Sequence, residues 1–385
     1  MNPSSPHQFF APCPRGLEGV LAEELTTLGA LSVQASDAGA TFQGDFTLAM
    51  RVNLESRIAS RVLWQLATGP YTHEQHIYDA ARRLPWSEWT NVEQTLMVDL
   101  NAHRSPLRSL DFVTLRIKDA VCDYFMERSN RRPSVDTRQP DVRIHAFLNE
   151  QSYFLYLDTS GEALFKRGLR LESGAAPLKK NLAAGILHLA GWQPGTPLLD
   201  PFCGAGTFLV EAAERSLQRA PGLGRSFGFE RLSGWDPAEW ARIKSAAERR
   251  AQAPRPLPIW GYDLKGDALE ATRANLAAAG LLECVELKQV NMLESSPPAP
   301  TGLLVTNPPY GVRMGEQAEL AQLYPRLGDT LKQRYAGWTA YFFTADMRLP
   351  KLIRLTTSRR TPLFNGALEC RLFQIRVVAG SHRTP

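Results

Sequence analysis

No apolar run in these 385 residues approaches the ~18 consecutive positions that a membrane-spanning helix needs. The first residues, Met1 to Pro6, carry neither a basic n-region nor an apolar h-region, so no secretory leader is expected. Cysteine is scarce: Cys13, Cys122, Cys203, Cys284 and Cys370 are scattered and make no CxxC pair. That spacing argues against a zinc site and against a disulfide framework, so no metal is expected. A reducing cytoplasm suits such a chain. Internal repeats at a solenoid period and long low-complexity tracts are also missing. What remains is an ordinary globular composition, 44% hydrophobic and 22% charged. The length fits two or three domains of about 100–200 residues each.

Positive charge is short in the first part. Residues 1–165 hold 15 Lys and Arg against 20 Asp and Glu, whereas the remainder holds 29 against 19. The net charge of +5 therefore arises from the C-terminal part. An electropositive part suits a polyanionic partner, although a solvated basic surface accounts for it equally well.

The N-terminal stretch carries two α+β patterns. After an irregular start, Leu17, Val20, Leu21, Leu25 and Leu28 share one face of an expected helix. Ala40-Thr41-Phe42-Gln43 reads as a strand, and a second helix is expected over 53–66, burying Ile58, Val62 and Leu66. Then come a helix at 75–84, a strand at 95–100 and a longer helix at 110–127 with Val113, Ile117, Val121 and Phe125 inward. Residues 142–148 and 152–158 alternate as strands joined by Asn149-Glu150-Gln151, a hairpin. From Pro197 the rhythm becomes strand–helix–strand, the pattern of a parallel α/β sheet. The expected strands are 197–200, 258–263, 285–289, 302–305 and 339–344, and Asn365-Gly366 signals a turn into a last antiparallel strand at 370–377.

Two loops in this second part carry chemistry. In Asp200-Pro201-Phe202-Cys203-Gly204-Ala205-Gly206-Thr207 a strand ends in an acid and a glycine turn opens a helix. Glycines let a backbone approach a ligand, and a helix N-terminus offers free N–H groups. Leu209 stands where a dinucleotide fingerprint places its third glycine, which disfavours a dehydrogenase. Asp263 ends the next strand, where a carboxylate accepts from both ribose hydroxyls of an adenosine ligand. A helix cap is the alternative role, but Asp267, nearer the helix expected at 268–279, suits it better. Asn291, after the third strand, is either a partner for an adenine edge or an ordinary loop residue. The other loop is Asn307-Pro308-Pro309-Tyr310, set after the buried run 302–305. Its prolines stop the strand. A planar base amine is a poor nucleophile. The Asn307 side-chain oxygen and the Pro308 carbonyl can each accept one of its N–H groups and stabilise charge developing on nitrogen, while Tyr310 stacks on the base.

Together these residues resemble class I S-adenosylmethionine-dependent methyltransferases of the amino-methylating type, with 200–207 as the cofactor loop and 307–310 as the N/D-P-P-Y/F motif. Residues 165–170, 176–183, Phe227-Gly228-Phe229-Glu230, Trp235-Asp236, Trp240, 306–316 and 363–370 extend the resemblance to THUMP-containing RNA guanine-N2 methyltransferases of the RlmL-like, 23S rRNA type. The resemblance implies a C-terminal Rossmann-like α/β methyltransferase sheet at 197–385. A linker and helix at 161–196 would precede it, with a ferredoxin-like α+β domain at 1–66 and a THUMP domain at 67–160 before that. It implies S-adenosylmethionine as cofactor, held by Asp200, Phe202, Gly204, Gly206, Thr207, Asp263, Leu264, Asn291, Met292 and Asn307. Asn307, Pro308 and Tyr310 would be catalytic. Many relatives carry Asp where Asn291 stands; an amide still presents one acceptor and one donor.

Structured RNA is the implied partner, 23S rRNA first and tRNA as the alternative. Lys166, Arg167, Arg170 and Arg313 are candidates for its phosphates in the basic part, with plain solvation an equal reading. The net-acidic THUMP part would bind through local arginines such as Arg128, Arg131 and Arg132, or by shape. Rival functions are a tRNA guanine-N2 enzyme, an adenine-N6 methyltransferase using the same motif, and a non-catalytic RNA-binding factor. The intact set Asp200, Gly204, Gly206, Asp263 and Asn307 counts against the last.

Overall fold

A computed structural model describes residues 6–167, 178–308 and 314–378, with 314–319 through their backbone alone. The chain folds as two units. The first comprises residues 1–13, 21–164 and 225–246, the second 14–20, 165–224 and 247–385. No helix among the described residues is long and apolar enough to cross a membrane.

The first unit is built on β1 (His7–Pro12), most of α1 (Glu18–Thr27), β2 (Leu31–Ser36), β3 (Gly39–Gly44), α2 (Phe46–Glu55), β4 (Leu63–Pro70), α3 (Glu74–Arg83), β5 (Leu96–Ala102), α4 (Leu110–Ser129), β6 (Val142–Leu148) and β7 (Ser152–Asp158). Its seven strands form one sheet in the order β2-β3-β1-β4-β7-β6-β5. The two expected α+β modules thus share a sheet, because β4 pairs with β1 on one side and with β7 on the other. Strand β6 alternates buried and half-buried residues, as a strand with one covered face must.

Two expectations fail here. Residues 7–12 are not irregular: they form β1, an interior strand, and its fully buried Phe9 stacks on Phe42 at 5.2 Å. The helix expected over 53–66 is instead the end of α2 followed by β4. Asp45 caps α2, accepting from the Leu48 N–H at 2.7 Å, and the helix stops at Ser56. Ile58 and Val62 are buried as expected, but in a connecting segment whose apolar spacing also fits a helix.

Residues 225–246, expected within the C-terminal domain, pack in the first unit. Phe227 and Phe229 stack at 5.5 Å, and the Trp240 ring meets both edge-on. The Phe229 N–H donates to the Thr159 carbonyl at 2.9 Å. Gly228 makes the approach possible: a Cβ there would lie 2.8 Å from the Gly161 nitrogen and 2.9 Å from the Asp158 carbonyl oxygen.

The second unit contains α5 (Lys180–Leu189), β8 (Leu198–Asp200), α6 (Thr207–Ser216), the end of α7 (Pro237–Arg250), β9 (Ile259–Asp263), α8 (Gly266–Ala278), β10 (Glu286–Gln289), β11 (Gly302–Thr306), α9 (Met314–Arg334), β12 (Trp338–Thr344), α10 (Leu349–Leu352), β13 (Arg359–Asn365) and β14 (Leu368–Arg376). Its strand order is β10-β9-β8-β11-β12-β14-β13. The first five strands run parallel, and β14 returns antiparallel beside β12. The expected turn between β13 and β14 carries Gly366 at φ +65°. A core of Leu304, Tyr324, Leu327, Leu331, Trp338 and Phe342 supports one face. The order reverses between β8 and β11, and that switch point is where open α/β sheets bind ligands.

The contact of Gly228 with two backbone atoms sets a test. Gly228→Ala should cost about 1–3 kcal/mol by overpacking, seen as a lower urea midpoint for the first unit's transition.

Candidate active site

At the switch point β8 and β11 end side by side, with Leu198 opposite Leu303 and Leu199 opposite Leu304. Their last residues meet: the Thr306 hydroxyl donates to Asp200 Oδ1 at 2.7 Å. Thr306 is fully buried and Asp200 is 2% exposed. The Phe202 N–H donates to the same carboxylate oxygen at 3.3 Å. Burial pushes the Asp200 carboxyl up to about 7, and the neighbouring Asp263 adds to that rise while the two hydrogen bonds oppose it.

The glycine turn follows. Gly204 and Gly206 adopt φ +53° and +74°, a left-handed backbone that favours glycine. A Cβ on Gly206 would press 2.8 Å from Thr272 Cγ2, whereas a Cβ on Gly204 would project into open space, a cradle beside the backbone. Asp263 Oδ2 accepts from the Gly204 N–H at 3.1 Å, and its Oδ1 accepts from the Lys265 N–H at 3.0 Å. Helix α8 braces the far side: Thr272 donates to the Gly204 carbonyl at 2.6 Å and Asn275 to the Ala205 carbonyl at 3.0 Å. Sequence reasoning missed Thr272 and Asn275; their signal was two polar residues at helical spacing on the helix that follows Asp263. Thr207 opens α6, whose first N–H groups have no acceptor within the helix. Cys203 sits in the same turn, but burial, then the Asp200 charge, push its thiol upward, so it is no nucleophile.

The structure spreads the remaining expected cofactor residues. Phe202 is half-buried against the core, and Leu264 is 62% exposed beyond β9. Asn291 uses its side-chain oxygen as a cap, accepting from the Leu293 N–H at 3.0 Å. The Met292 side chain points into the core, where its sulfur accepts from the Ser295 hydroxyl at 3.2 Å. Helix α8 begins at Gly266 with Lys265 at its cap position, so Asp267 lies in the first turn rather than at the cap. Asn307, half-buried, and Pro308, buried, follow β11 directly. Pro309, Tyr310, Arg313 and Arg170 lie outside the described residues.

The expected phosphate contacts divide. Lys166 is exposed. Its neighbour Arg167 is not available to RNA: it is 4% exposed and donates to Glu211 at 2.7 Å, a buried ion pair. In the first unit Arg131 pairs with Glu93, Arg132 pairs with Asp119 at 3.2 Å, and Arg128 stacks on Tyr124 at 3.8 Å. Among the described residues no His, Cys, Asp and Glu cluster could hold a metal ion.

Residues 167–374 match the family model of the RMKL-like methyltransferase domain, 71–158 that of the THUMP domain and 8–63 that of the RlmL ferredoxin-like domain. A Synechocystis sp. protein whose name describes an RNA methyltransferase is 39% identical over 367 residues, covering 95% of this chain and 96% of its own length. The ribosomal RNA large subunit methyltransferase K/L of Syntrophotalea carbinolica is 42% identical over 388 residues, covering 97% of this chain. The chain spans about half of that relative's length, 54%. The crystal structure of SMU.472 complexed with SAH superposes with a TM-score of 0.89 at 28% identity, over 98% of this chain and 99% of that one.

The Arg167–Glu211 pair gives a direct contrast with its exposed neighbour. Arg167→Ala should cost about 3–5 kcal/mol, because it removes one partner of a buried ion pair, and Arg167→Met with Glu211→Leu should recover most of it. Lys166→Ala should stay within about 0.5 kcal/mol in the same urea titration.

Proposed function

Because the chain belongs to the RMKL-like methyltransferase family, we propose that it transfers the methyl group of S-adenosylmethionine to the exocyclic N2 amine of a guanosine in large-subunit ribosomal RNA. The observation that carries this reading is the pairing, at one switch point, of a glycine cradle with an amide-bearing loop, joined by the Thr306–Asp200 hydrogen bond.

The residues present fit the cofactor. The open cradle at Gly204 admits a ligand against the backbone, and the first N–H groups of α6 and the Asp263 carboxylate supply donors and acceptors around it. Asp263 spends one lone pair of each oxygen on the Gly204 and Lys265 N–H groups and keeps others for ribose hydroxyls. When bound, S-adenosylmethionine supplies an electrophilic methyl on a sulfonium.

The chain's own task is to present the amine. Asn307 accepts one N–H through its side-chain oxygen and the Pro308 carbonyl accepts the other, which aims the nitrogen lone pair and stabilises the charge that grows on it. Pro308 is buried just after β11, and its ring fixes the backbone φ at that position. Tyr310 is assigned to base stacking by its place in the motif alone. A paired, stacked guanine hides its amine, so the acceptor base must be unpaired or flipped. The first unit, which contains the THUMP-matching residues 71–158, is assigned to structured RNA, in the cytoplasm where ribosomes are made.

Nucleoside mass spectrometry on rRNA and tRNA from cells lacking this chain tests the reading. The expected result is loss of N2-methylguanosine from 23S rRNA; loss from tRNA alone, or loss of N6-methyladenosine instead, overturns it. With purified protein, Asn307→Ala should lower kcat by about 10²–10³ while largely sparing cofactor binding, most of whose contacts lie on the glycine turn and Asp263. Asp263→Ala should instead weaken cofactor binding by about 10- to 100-fold, the value of charge-assisted hydrogen bonds.

Asp200 adds a pH signature. The cofactor carries net positive charge, which favours the ionised carboxylate, so its affinity should rise from about pH 6 to about pH 8 as Asp200 ionises and then level off. Asp200→Asn should bind more weakly and flatten that profile in isothermal titration calorimetry.

A further inference from the structure

We propose that the loop at residues 103–109 and the first turns of α4, in the first unit, form an RNA-binding surface in which Arg104, Arg108 and Arg116 take phosphates and Phe112 stacks on an unpaired base. The proposal rests on the reading of the substrate as RNA. It moves the contact from the end of α4 where the sequence placed it to the opposite end.

The two ends of α4 differ in how their charge is spent. At the C-terminal end Arg131 and Arg132 are held by Glu93 and Asp119, and Arg128 lies over Tyr124. At the N-terminal end Arg104 and Arg108 are exposed and, among the described residues, make no ion pair. Arg116 is held there by a neutral partner: it donates to the Gln75 side chain at 2.7 Å, with its guanidinium 4.0 Å from the Tyr78 ring. His73, His76 and His103 are exposed around them, the first two with ring centroids 3.8 Å apart. The acids on these elements are Glu74, Asp79 and Asp111, with Asp123 accepting from the Tyr78 hydroxyl at 2.7 Å, and Asp79 takes a hydrogen bond from Gln75 at 2.8 Å.

The surface is built rather than loose. Tyr71, 4% exposed, reaches both sides of it: its hydroxyl lies 2.6 Å from the Asn149 carbonyl oxygen and 2.8 Å from Ser105 Oγ. Ser105 Oγ also accepts from the Leu107 N–H at 3.2 Å, and the His103 N–H donates to the Leu148 carbonyl at 2.8 Å. Arg104 is kept at φ +57°, a conformation that arginine adopts only under constraint. Ser109 caps α4 by accepting from the Phe112 N–H at 3.2 Å.

An apolar ring completes the pattern. Phe112 is 48% exposed and Leu115 51%, on the helix that carries Arg116. Cations without acidic partners beside an exposed aromatic ring suit a single-stranded or looped nucleic acid, whose phosphates and base faces need those two groups. A purely apolar partner would leave the arginines desolvated and unpaired.

Binding of the full chain to a 23S rRNA transcript, and to bulk tRNA, across a salt series tests the proposal. Arg104→Glu with Arg108→Glu should weaken 23S rRNA binding by about tenfold or more and lower the log–log salt slope by about two, one per phosphate contact. Phe112→Ala should weaken it by about fivefold or more with the salt slope unchanged. Arg131→Glu should stay within about twofold. Cofactor binding and the thermal midpoint should match wild type in all three; if the double variant is misfolded, Phe112→Ala decides. Wild-type affinity in both variants, or an equal loss in Arg131→Glu, overturns the surface while leaving the methyltransferase reading intact. A wild-type chain that binds neither RNA overturns that reading together with the surface.

Discussion

The second unit turns on one buried hydrogen bond, from Thr306 to Asp200. Neither group can reach water, so each must satisfy the other. Asp200 then holds the Phe202 N–H, which sets the start of the glycine turn. The turn is tied in its middle by Asp263 and from behind by Thr272 and Asn275. A continuous path of hydrogen bonds therefore runs from β11 to β8, through the turn, to β9 and α8. Asn307 is the next residue after Thr306, so its backbone continues directly from the strand end that this path ties down. The glycine turn inherits the rigidity of the sheet, which is what alignment of a methyl donor with an amine would require in the proposed reaction.

Much of this is legible in the sequence. The five parallel strands of the second unit are short apolar runs bounded by Gly, Pro and Asp, and punctuation of that kind marks where a strand must end. Asp200, Asp263 and Asn307 stand at such ends, so their common edge could be read from local signals alone. The strands β6 and β7 were equally plain, since alternation and a short polar turn specify a hairpin without distant help. The strands β1 and β4 were not. His7–Pro12 is short and edged by proline, and Val62 to Leu66 carries a spacing that suits either helix or strand. What decides them is pairing with β3 and β7, far along the chain, and no local pattern contains that information.

Charge was the least legible feature. Lys166 and Arg167 are adjacent and chemically alike, yet one faces solvent and the other is buried against Glu211, 44 residues later. Sequence displays the charge but not its partner. Asn291 is a similar case: its side-chain oxygen accepts from the Leu293 N–H, a local role that its sequence position did not display. Short polar side chains beside a turn serve the backbone first, because an unsatisfied N–H costs more than a ligand contact gains in the free protein.

The acidic balance of the first unit looked like an argument against RNA binding there, and the ion pairs show why it is not. Net charge sums over a surface, whereas a phosphate responds to charges within about a Debye length, roughly 8 Å in physiological salt. Glu93 and Asp119 spend their charge on the arginines after α4, whereas Arg104 and Arg108 at the opposite end make no ion pair among the described residues. An acidic unit can thus present a cationic face while repelling polyanions elsewhere, which favours one binding orientation over many. Contacts of this kind, remote from the reacting atoms, are formed equally in the bound substrate and in the transition state unless docking also places the base. On the proposed function, recognition by the first unit should therefore govern which RNA is held, and the Asn307 loop how fast its amine reacts.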